Sequence, residues 1–261
     1  MQKEVLIIIP AYNEEKNISK VLDRLEQPEI AEFADILVMN DASSDNTNWI
    51  VKARHHAVVT HVFNLGYGSA LQLGYKYAIR CNYRYVIQMD ADGQHDAGNL
   101  INLYRALKTP DENGVYPDIV MGSRYLNDSP YFETSALKRF AFFLFRHIIK
   151  WSTGRTIMDP TTGLQGLSRR AALCYSKFGN FDEKYPDANM ITNMLLSDFN
   201  IVEIPAAMHL REHGKSMHSG LKPIGYMFHM FFSILAVLIR QKIFKNVPKA
   251  ERYNNDIQKT Q

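Results

Sequence analysis

The chain has 261 residues, 46% of them hydrophobic and 22% charged. That is enough for one large packed domain and does not fit a disordered chain. A net charge of +3, with Lys and Arg gathered from Lys138 onward, gives no argument for a nucleic-acid partner, and none is expected. The two cysteines, Cys81 and Cys174, are far apart; they suggest neither a disulfide framework nor a zinc site and fit a reducing compartment.

The run VLIII is closed by Pro10 and is too short for a signal peptide. EVLIIIP reads as a strand buried on both faces, and EEKNISKVLDRLEQ as a helix. DILVMND is a second buried strand, DNTNWIVKARHH a helix and AVVTHVF strand-like. GSALQLGYKYAIRCN is a helix with apolar residues three and four apart. RYVIQMD is the next strand, AGNLINLYRALKT the next helix and DIVMGSRY another short strand. Alternation of this kind predicts parallel β-α-β units, with helices on both faces of a sheet. Ligands then bind outside the carboxyl ends of the strands. Those ends read PAYNE, NDAS, NLG, DAD and GSR, a concentration of acids and amides that a scaffold without a ligand does not need.

The second half is less regular. SALKRFAFFLFRHIIKW, Ser135 to Trp151, is a basic and aromatic helix. DPTTGLQGLSRRAAL reads as a loop, a short strand and a helix start, and YPDANMITNMLLSDFNIVEIPAAM as a helix followed by a strand. HLREHGKSMHSGLKP is a basic loop. IGYMFHMFFSILAVLI, Ile224 to Ile239, is the longest apolar stretch, and it contains His229 and Ser233. No uninterrupted apolar run reaches the roughly 20 residues a spanning helix needs. The expected organisation is a catalytic domain over 1–218, an amphipathic interfacial or oligomerisation helix over 219–245 and a mobile polar tail over 246–261.

In VIQMDADGQHD a buried strand stops on Asp90 and Asp92, one residue apart. Two carboxylates there can hold Mg²⁺ or Mn²⁺ against a diphosphate. Asp-Ala-Asp-Gly is also ordinary turn chemistry, so the pair alone leaves both readings open. Asp96 is expected to cap the following helix, and His95 to make an ordinary hydrogen bond. A zinc site on His209 and His213 lacks an evident third ligand.

IIIPAYNEEKNI, VMNDASSDNT, NLGYGSALQLGYKYA and QMDADGQHD occur in this order, followed by GSRY, DPTTGLQGLSRRA and EIPAAMHLREHGKS. The set covers roughly residues 4–218 and resembles the family 2 glycosyltransferases, in particular the branch acting on polyprenyl and dolichyl phosphate. The resemblance implies an α/β, GT-A (Rossmann-like) fold, a mostly parallel central sheet with helices on both faces, here with amphipathic helices added at the C-terminus. It implies a nucleotide-diphosphate sugar donor, with UDP the commonest nucleotide, transfer with inversion, and Mn²⁺ or Mg²⁺ as cofactor.

Carried across position by position, Pro10, Ala11, Tyr12 and Glu14 form the loop that cradles the nucleotide, with Glu14 near the ribose. Asp41 meets the base or ribose. Asn64 and Gly66 open a helix beside the nucleotide. Asp90, Ala91 and Asp92 line the donor, with Asp92 the metal ligand on the diphosphate and Asp90 next to it. Arg124 lies near the diphosphate or acceptor. Asp159 matches an acid of the polyprenyl-phosphate enzymes, and Asp187 is a candidate base for an acceptor hydroxyl or, alternatively, an N-cap. His209, Arg211, His213 and Lys215 belong to a basic lid over the diphosphate, with Gly214 permitting closure. The chain departs from the family pattern at Tyr67, where many relatives have Lys or Arg. It departs again at Leu164-Gln165, where polyprenyl-phosphate enzymes have Phe-Arg, a gap that Arg169 and Arg170 could fill.

Basic residues flanking aromatics in Ser135 to Trp151, and again around Ile224 to Ile239, suit helices lying on an anionic bilayer. They equally suit packing on the sheet, a homo-oligomer or a small membrane-protein partner. The leading expectation is an inverting, metal-dependent glycosyltransferase at the cytoplasmic face of the cell membrane, acting on polyprenyl phosphate or a lipid-linked glycan in cell-surface polysaccharide synthesis. The alternatives are a soluble enzyme extending a polysaccharide or protein-linked glycan, a sugar-phosphate nucleotidyltransferase and an inactive binding partner. PAYNEEKN lacks the Gly-rich basic loop a nucleotidyltransferase uses, and the intact D-x-D argues against an inactive partner.

Overall fold

The computed structural model describes residues 2–126, 129, 136–209, 222–244 and 249–258. Among them β1 (Val5–Ala11), β2 (Ala34–Asn40), β3 (Ala57–Thr60), β4 (Tyr85–Gln88), β5 (Ile119–Ser123), β6 (Gln165–Ser168) and β7 (Ile201–Pro205) form one sheet, in the order β3-β2-β1-β4-β6-β5-β7. All pairings are parallel except those of β6, which runs antiparallel to both β4 and β5. This is the mixed α/β architecture expected from the sequence.

All seven residues of β1 are buried. Successive side chains of a strand point to opposite faces, so β1 feeds two separate cores. Leu6 and Ile8 pack with α4 (Tyr67–Arg80), α6 (Ala136–Thr153), α7 (Arg169–Ser176) and α8 (Ala188–Leu196). Val5, Ile7 and Ile9 pack with α1 (Ile18–Leu25), α2 (Pro28–Ala31), α3 (Thr47–Ala53) and α5 (Ala97–Leu107). A strand covered on both sides has no reason to alternate polar and apolar residues, which explains the unbroken VLIII. Asp96 caps α5 as expected, its side chain accepting from the Gly98 N–H at 2.8 Å.

α9 (Lys222–Phe244) sends Met230 and Ile234 into the first core, while Phe228, Phe232, Leu235 and Ile239 stay exposed on its outer side. No helix among the described residues is long and apolar enough to cross a membrane. The tail differs from its expectation. Residues Ala250–Gln258 form α10, and Ala250 and Tyr253, three apart on one helix face, are buried in the first core beside Cys174 and Phe199. Burying a side chain of that size contributes about 2 kcal/mol, enough to hold a short polar helix against the body.

Candidate active site

The strand order changes direction between β1 and β4: β2 and β3 lie to one side, β4 and the later strands to the other. The C-terminal ends of β1 and β4 therefore flank a topological switch point, where open α/β sheets bind ligands. Pro10 and Ala11 end β1, Tyr12 stands half exposed beyond them, and Asp90, Ala91 and Asp92 follow β4.

The loop after β1 is latched to the loop after β2. The Asn13 amide donates to Ser43 Oγ at 3.0 Å, the Glu14 amide to Thr47 Oγ1 at 2.9 Å and the Ser44 amide to Asn13 Oδ1 at 2.9 Å. Glu14 also accepts from Asn17 Nδ2 at 2.7 Å. Asp41 directly follows β2. It is buried at 3% exposure. Its oxygens accept from the Leu65 amide at 2.9 Å and the Gly66 amide at 2.8 Å and pair with His61 Nδ1 at 2.7 Å. Asn64 Nδ2 reaches the Asp41 carbonyl at 3.4 Å. Asp41 thus shapes the turn that starts α4.

Asp90 accepts from Tyr67 Oη at 2.9 Å, and His95 Nε2 lies 3.6 Å from its other oxygen. Burial pushes the Asp90 carboxyl up, but His95, Tyr67 and Arg124 together bring it below the ordinary aspartate value. Tyr67 therefore acts on Asp90 as a neutral donor. His95 departs from expectation: it is 2% exposed, and neither ring nitrogen has a hydrogen-bond partner among the described residues. Gly163, just before β6, lies against Asp90, and a Cβ there would come 2.4 Å from Asp90 Oδ2. Asp92 Oδ1 accepts from the Gln94 amide at 3.1 Å.

Among the described residues no three carboxylate, His or Cys side chains converge as a ready-made metal cage. Two strand-end carboxylates still fit a hard divalent ion that draws its other ligands from water and a diphosphate.

Arg124 follows β5 and is bound bidentately by Asp159, Nε to Oδ2 and Nη2 to Oδ1, each at 2.7 Å, with its amide also on Oδ2 at 3.0 Å. Asp159 is wholly buried, and Glu203 on β7 accepts from its amide at 2.7 Å. Asp159, matched in the sequence to an acid of the polyprenyl-phosphate enzymes, faces Arg124 in the structure. Arg169 and Arg170 do not fill the gap left at Leu164-Gln165. Arg169 donates to the Tyr83 carbonyl at 3.0 Å, before β4, and Arg170 Nε to Asp118 at 2.8 Å, before β5. Both sit at the opposite edge of the sheet because β6 runs antiparallel.

Asp187 holds the N-cap position of α8 but makes no capping bond with its side chain. Instead it accepts from Tyr226 Oη of α9 at 2.7 Å. Burial lifts its carboxyl to about 7; Asp90 and Asp182 add to the rise, and Tyr226 and Arg124 oppose it. Of the lid, His209 is described: its amide donates to the Gln94 carbonyl at 2.7 Å and its ring pairs with Asp96 at 3.2 Å. Arg211, His213, Gly214 and Lys215 lie outside the described residues. Tyr226, Glu203 and Gly163 escaped sequence reasoning, since each acts on a residue distant in the chain, although Glu203 and Gly163 lie within the quoted motifs.

A family model described as Glycosyl transferase family 2 matches residues 6–175. The chain is 27% identical to a polyprenol monophosphomannose synthase of Mycolicibacterium smegmatis, over 84% of this chain and 82% of that one. It is 26% identical to a UDP-N-acetylglucosamine–dolichyl-phosphate N-acetylglucosaminyltransferase of Methanococcus voltae, over 65% and 71%. Among solved structures, a glucosyl-3-phosphoglycerate synthase from Mycobacterium tuberculosis with Mn²⁺, UDP-glucose and phosphoglyceric acid superposes with a TM-score of 0.65 at 19% identity, covering 92% of this chain and 79% of that one.

Proposed function

The chain belongs to glycosyl transferase family 2, and from that premise we propose that it moves a sugar from a UDP-linked donor to a lipid-linked acceptor at a membrane surface, inverting the anomeric carbon. The observation that carries the reading is the meeting of Asp90, Arg124 and Asp187, from the ends of β4 and β5 and the start of α8, close enough to act on one another's charge. Two acids and a cation in one place are what a leaving diphosphate and an attacking oxygen require. The UDP assignment is supported by the name of the Methanococcus relative and by the UDP-glucose in the mycobacterial structure.

In this scheme the loop after β1, with Tyr12 and Glu14, cradles the nucleotide. Asp92 would hold Mn²⁺ or Mg²⁺, with Asp90 beside it, and the ion would supply Lewis-acid stabilisation of the departing diphosphate. Arg124, aligned by Asp159, adds positive field at the same edge. The acceptor hydroxyl attacks the anomeric carbon, the bond from that carbon to the diphosphate oxygen breaks, and the hydroxyl proton passes to Asp187. A carboxyl that titrates near 7 is well matched to that transfer at neutral pH. This favours an acceptor ending in a sugar hydroxyl, such as a lipid-linked glycan. A second reading, polyprenyl phosphate itself as acceptor, is favoured by the names of the relatives; a phosphate is already an anion and needs no base.

The membrane part of the proposal rests on α6 and α9. Phe140, Phe143 and Trp151 on α6, and Phe228, Phe232 and Ile239 on α9, are exposed, with exposed Arg139, Lys150 and Arg240 on the same helices. Apolar side chains bordered by cations suit an anionic lipid surface.

The test is to incubate the protein and Mn²⁺ with a panel of UDP-sugars and two lipids, one ending in phosphate and one in a sugar hydroxyl. Transfer to the hydroxyl lipid that collapses in Asp187→Asn supports the first reading. Transfer to the phosphate lipid that Asp187→Asn leaves intact supports the second. Absence of sugar transfer and of Mn²⁺-dependent UDP binding across the panel would sink both.

A further inference from the structure

Asp187 stands where an N-cap belongs, yet its carboxylate leaves the helix end uncapped. That capping work falls to Asn189, whose Oδ1 accepts from the Asp187 amide at 3.0 Å and the Met190 amide at 2.8 Å. Among the described residues, the hydrogen-bond partner of the Asp187 side chain is Tyr226, at 2.7 Å.

Tyr226 is itself fixed. Its ring meets Tyr185 edge-on at 5.4 Å and Phe145 edge-on at 6.5 Å. The helix that carries it is registered on α8 by side-chain hydrogen bonds further along the same face. Asn189 Nδ2 donates to Ser233 Oγ at 2.7 Å, and Gln241 Nε2 reaches Asn193 Oδ1 and Ser197 Oγ at 3.2 Å each. Residues 226, 233 and 241 recur at about two-turn spacing and so share one side of the helix. α9 thus cannot slide along α8 without breaking polar contacts, and the Tyr226 hydroxyl is held in place over the acid.

We infer that Tyr226 is a positioning residue for Asp187, orienting its carboxylate and keeping it ionisable for proton transfer from the acceptor. The inference rests on Asp187 being the base. With Oδ2 engaged by the phenol, Oδ1 would be the oxygen that takes the acceptor's proton. A neutral donor bonded to a carboxylate favours its charged form. The other groups acting on Asp187 are Asp90 from the β4 end, Asp182 from the loop before α8 and Arg124 from the β5 end, with the Tyr67 phenol of α4 near enough to be influenced by it. Two acids press the carboxyl towards its protonated form, so losing Tyr226 removes a counterweight and the base stays protonated to a higher pH.

The experiment compares pH–rate profiles of transfer under saturating Mn²⁺ for the parent, Tyr226→Phe, Tyr226→Leu, Ser233→Ala and Asp187→Asn. Phe keeps the ring contacts and removes only the hydroxyl. Its acid limb of kcat is expected to move up by about one pH unit, the size of one charge-assisted hydrogen bond, so that kcat falls about fivefold at pH 7, approaches a tenfold loss at lower pH and recovers at higher pH. Tyr226→Leu moves the limb in the same direction. Ser233→Ala loosens α9 and lowers the thermal midpoint but leaves the limb in place, and UDP–Mn²⁺ affinity stays within about twofold in the Phe variant. Profiles of both Tyr226 variants that superimpose on the parent, or fall without shifting, while Asp187→Asn is inactive, overturn the inference and leave the base reading standing. Full turnover in Asp187→Asn removes the base and the inference together.

Discussion

Arg124 and Asp159 are joined by two parallel hydrogen bonds of 2.7 Å, with the carboxylate wholly buried and its own amide held by Glu203. The Arg124 guanidinium is thereby built into the sheet edge and has little freedom to swing. Removing one partner of a buried pair leaves the other charge uncompensated, at roughly 3–5 kcal/mol. Asp159→Ala is therefore expected to lower unfolding free energy by that order in urea titration. It should also lower turnover, because Arg124 loses its alignment. An unfolding midpoint equal to the parent's would contradict the pairing.

Asp187 gives a pH signature of stability opposite to that of most aspartates. Its folded-state carboxyl is raised to about 7, whereas in the unfolded chain it ionises near its ordinary value of about 3.9. Between those values the folded chain holds a proton that the unfolded chain has released. Stability therefore falls as pH rises through that window and levels off above it. Asp187→Asn removes this loss. Its thermal midpoint should exceed the parent's at pH 8, with the gap closing towards pH 4, while transfer to a hydroxyl acceptor drops about 10²–10⁴-fold. A gap that is the same at both pH values would contradict the raised carboxyl.

Gly163 is required by space. A methyl group there would fall 2.4 Å from Asp90 Oδ2 and 3.0 Å from its Cγ, so Gly163→Ala must displace the Asp90 carboxylate. If Asp90 borders the metal and nucleotide, Mn²⁺-dependent UDP binding should weaken on the order of tenfold or more by calorimetry. Unchanged affinity would separate Asp90 from the donor site.

The outer face of α9 can be tested without touching the proposed chemistry. Phe228 and Phe232, 63% and 60% exposed, make no contribution to the core, so replacing both with Ser should leave the thermal midpoint almost unchanged. Co-sedimentation with anionic liposomes at low salt is expected to fall severalfold. Equal sedimentation of variant and parent would assign that face to something other than lipid.

The sequence was most legible where a residue's task depends on its neighbours in the chain. The buried run of β1, the acids that end β4 and the capping of α5 by Asp96 are local events, set by alternation, turn chemistry and an N-cap. The tasks that escaped it are those fixed by packing. Asp41 sits in a strand-end motif, and its carboxylate also holds two amides and a histidine 20 to 25 residues on. Asp159 and Arg124 are 35 residues apart, and Tyr226 and Asp187 39 apart. Pairings across such distances follow from how layers stack, which periodicity does not encode. The polar tail misled for a related reason: two buried side chains, Ala250 and Tyr253, are enough to dock a helix whose composition is otherwise that of a solvated segment.

The reversed strand β6 bears on how relatives of this chain are recombined. The stretch from Asp159 to Arg170 looks like one motif, but it crosses the sheet from the ligand edge to the opposite one. Its first part governs Arg124 and crowds Asp90; its last part, Arg169 and Arg170, anchors the starts of β4 and β5. A chimaera that exchanges the whole segment will change the surroundings of Arg124 and Asp90 and the folding together, and neither effect will be readable. Cut between Gly166 and Leu167, in the middle of the strand, the same exchange becomes two separate experiments.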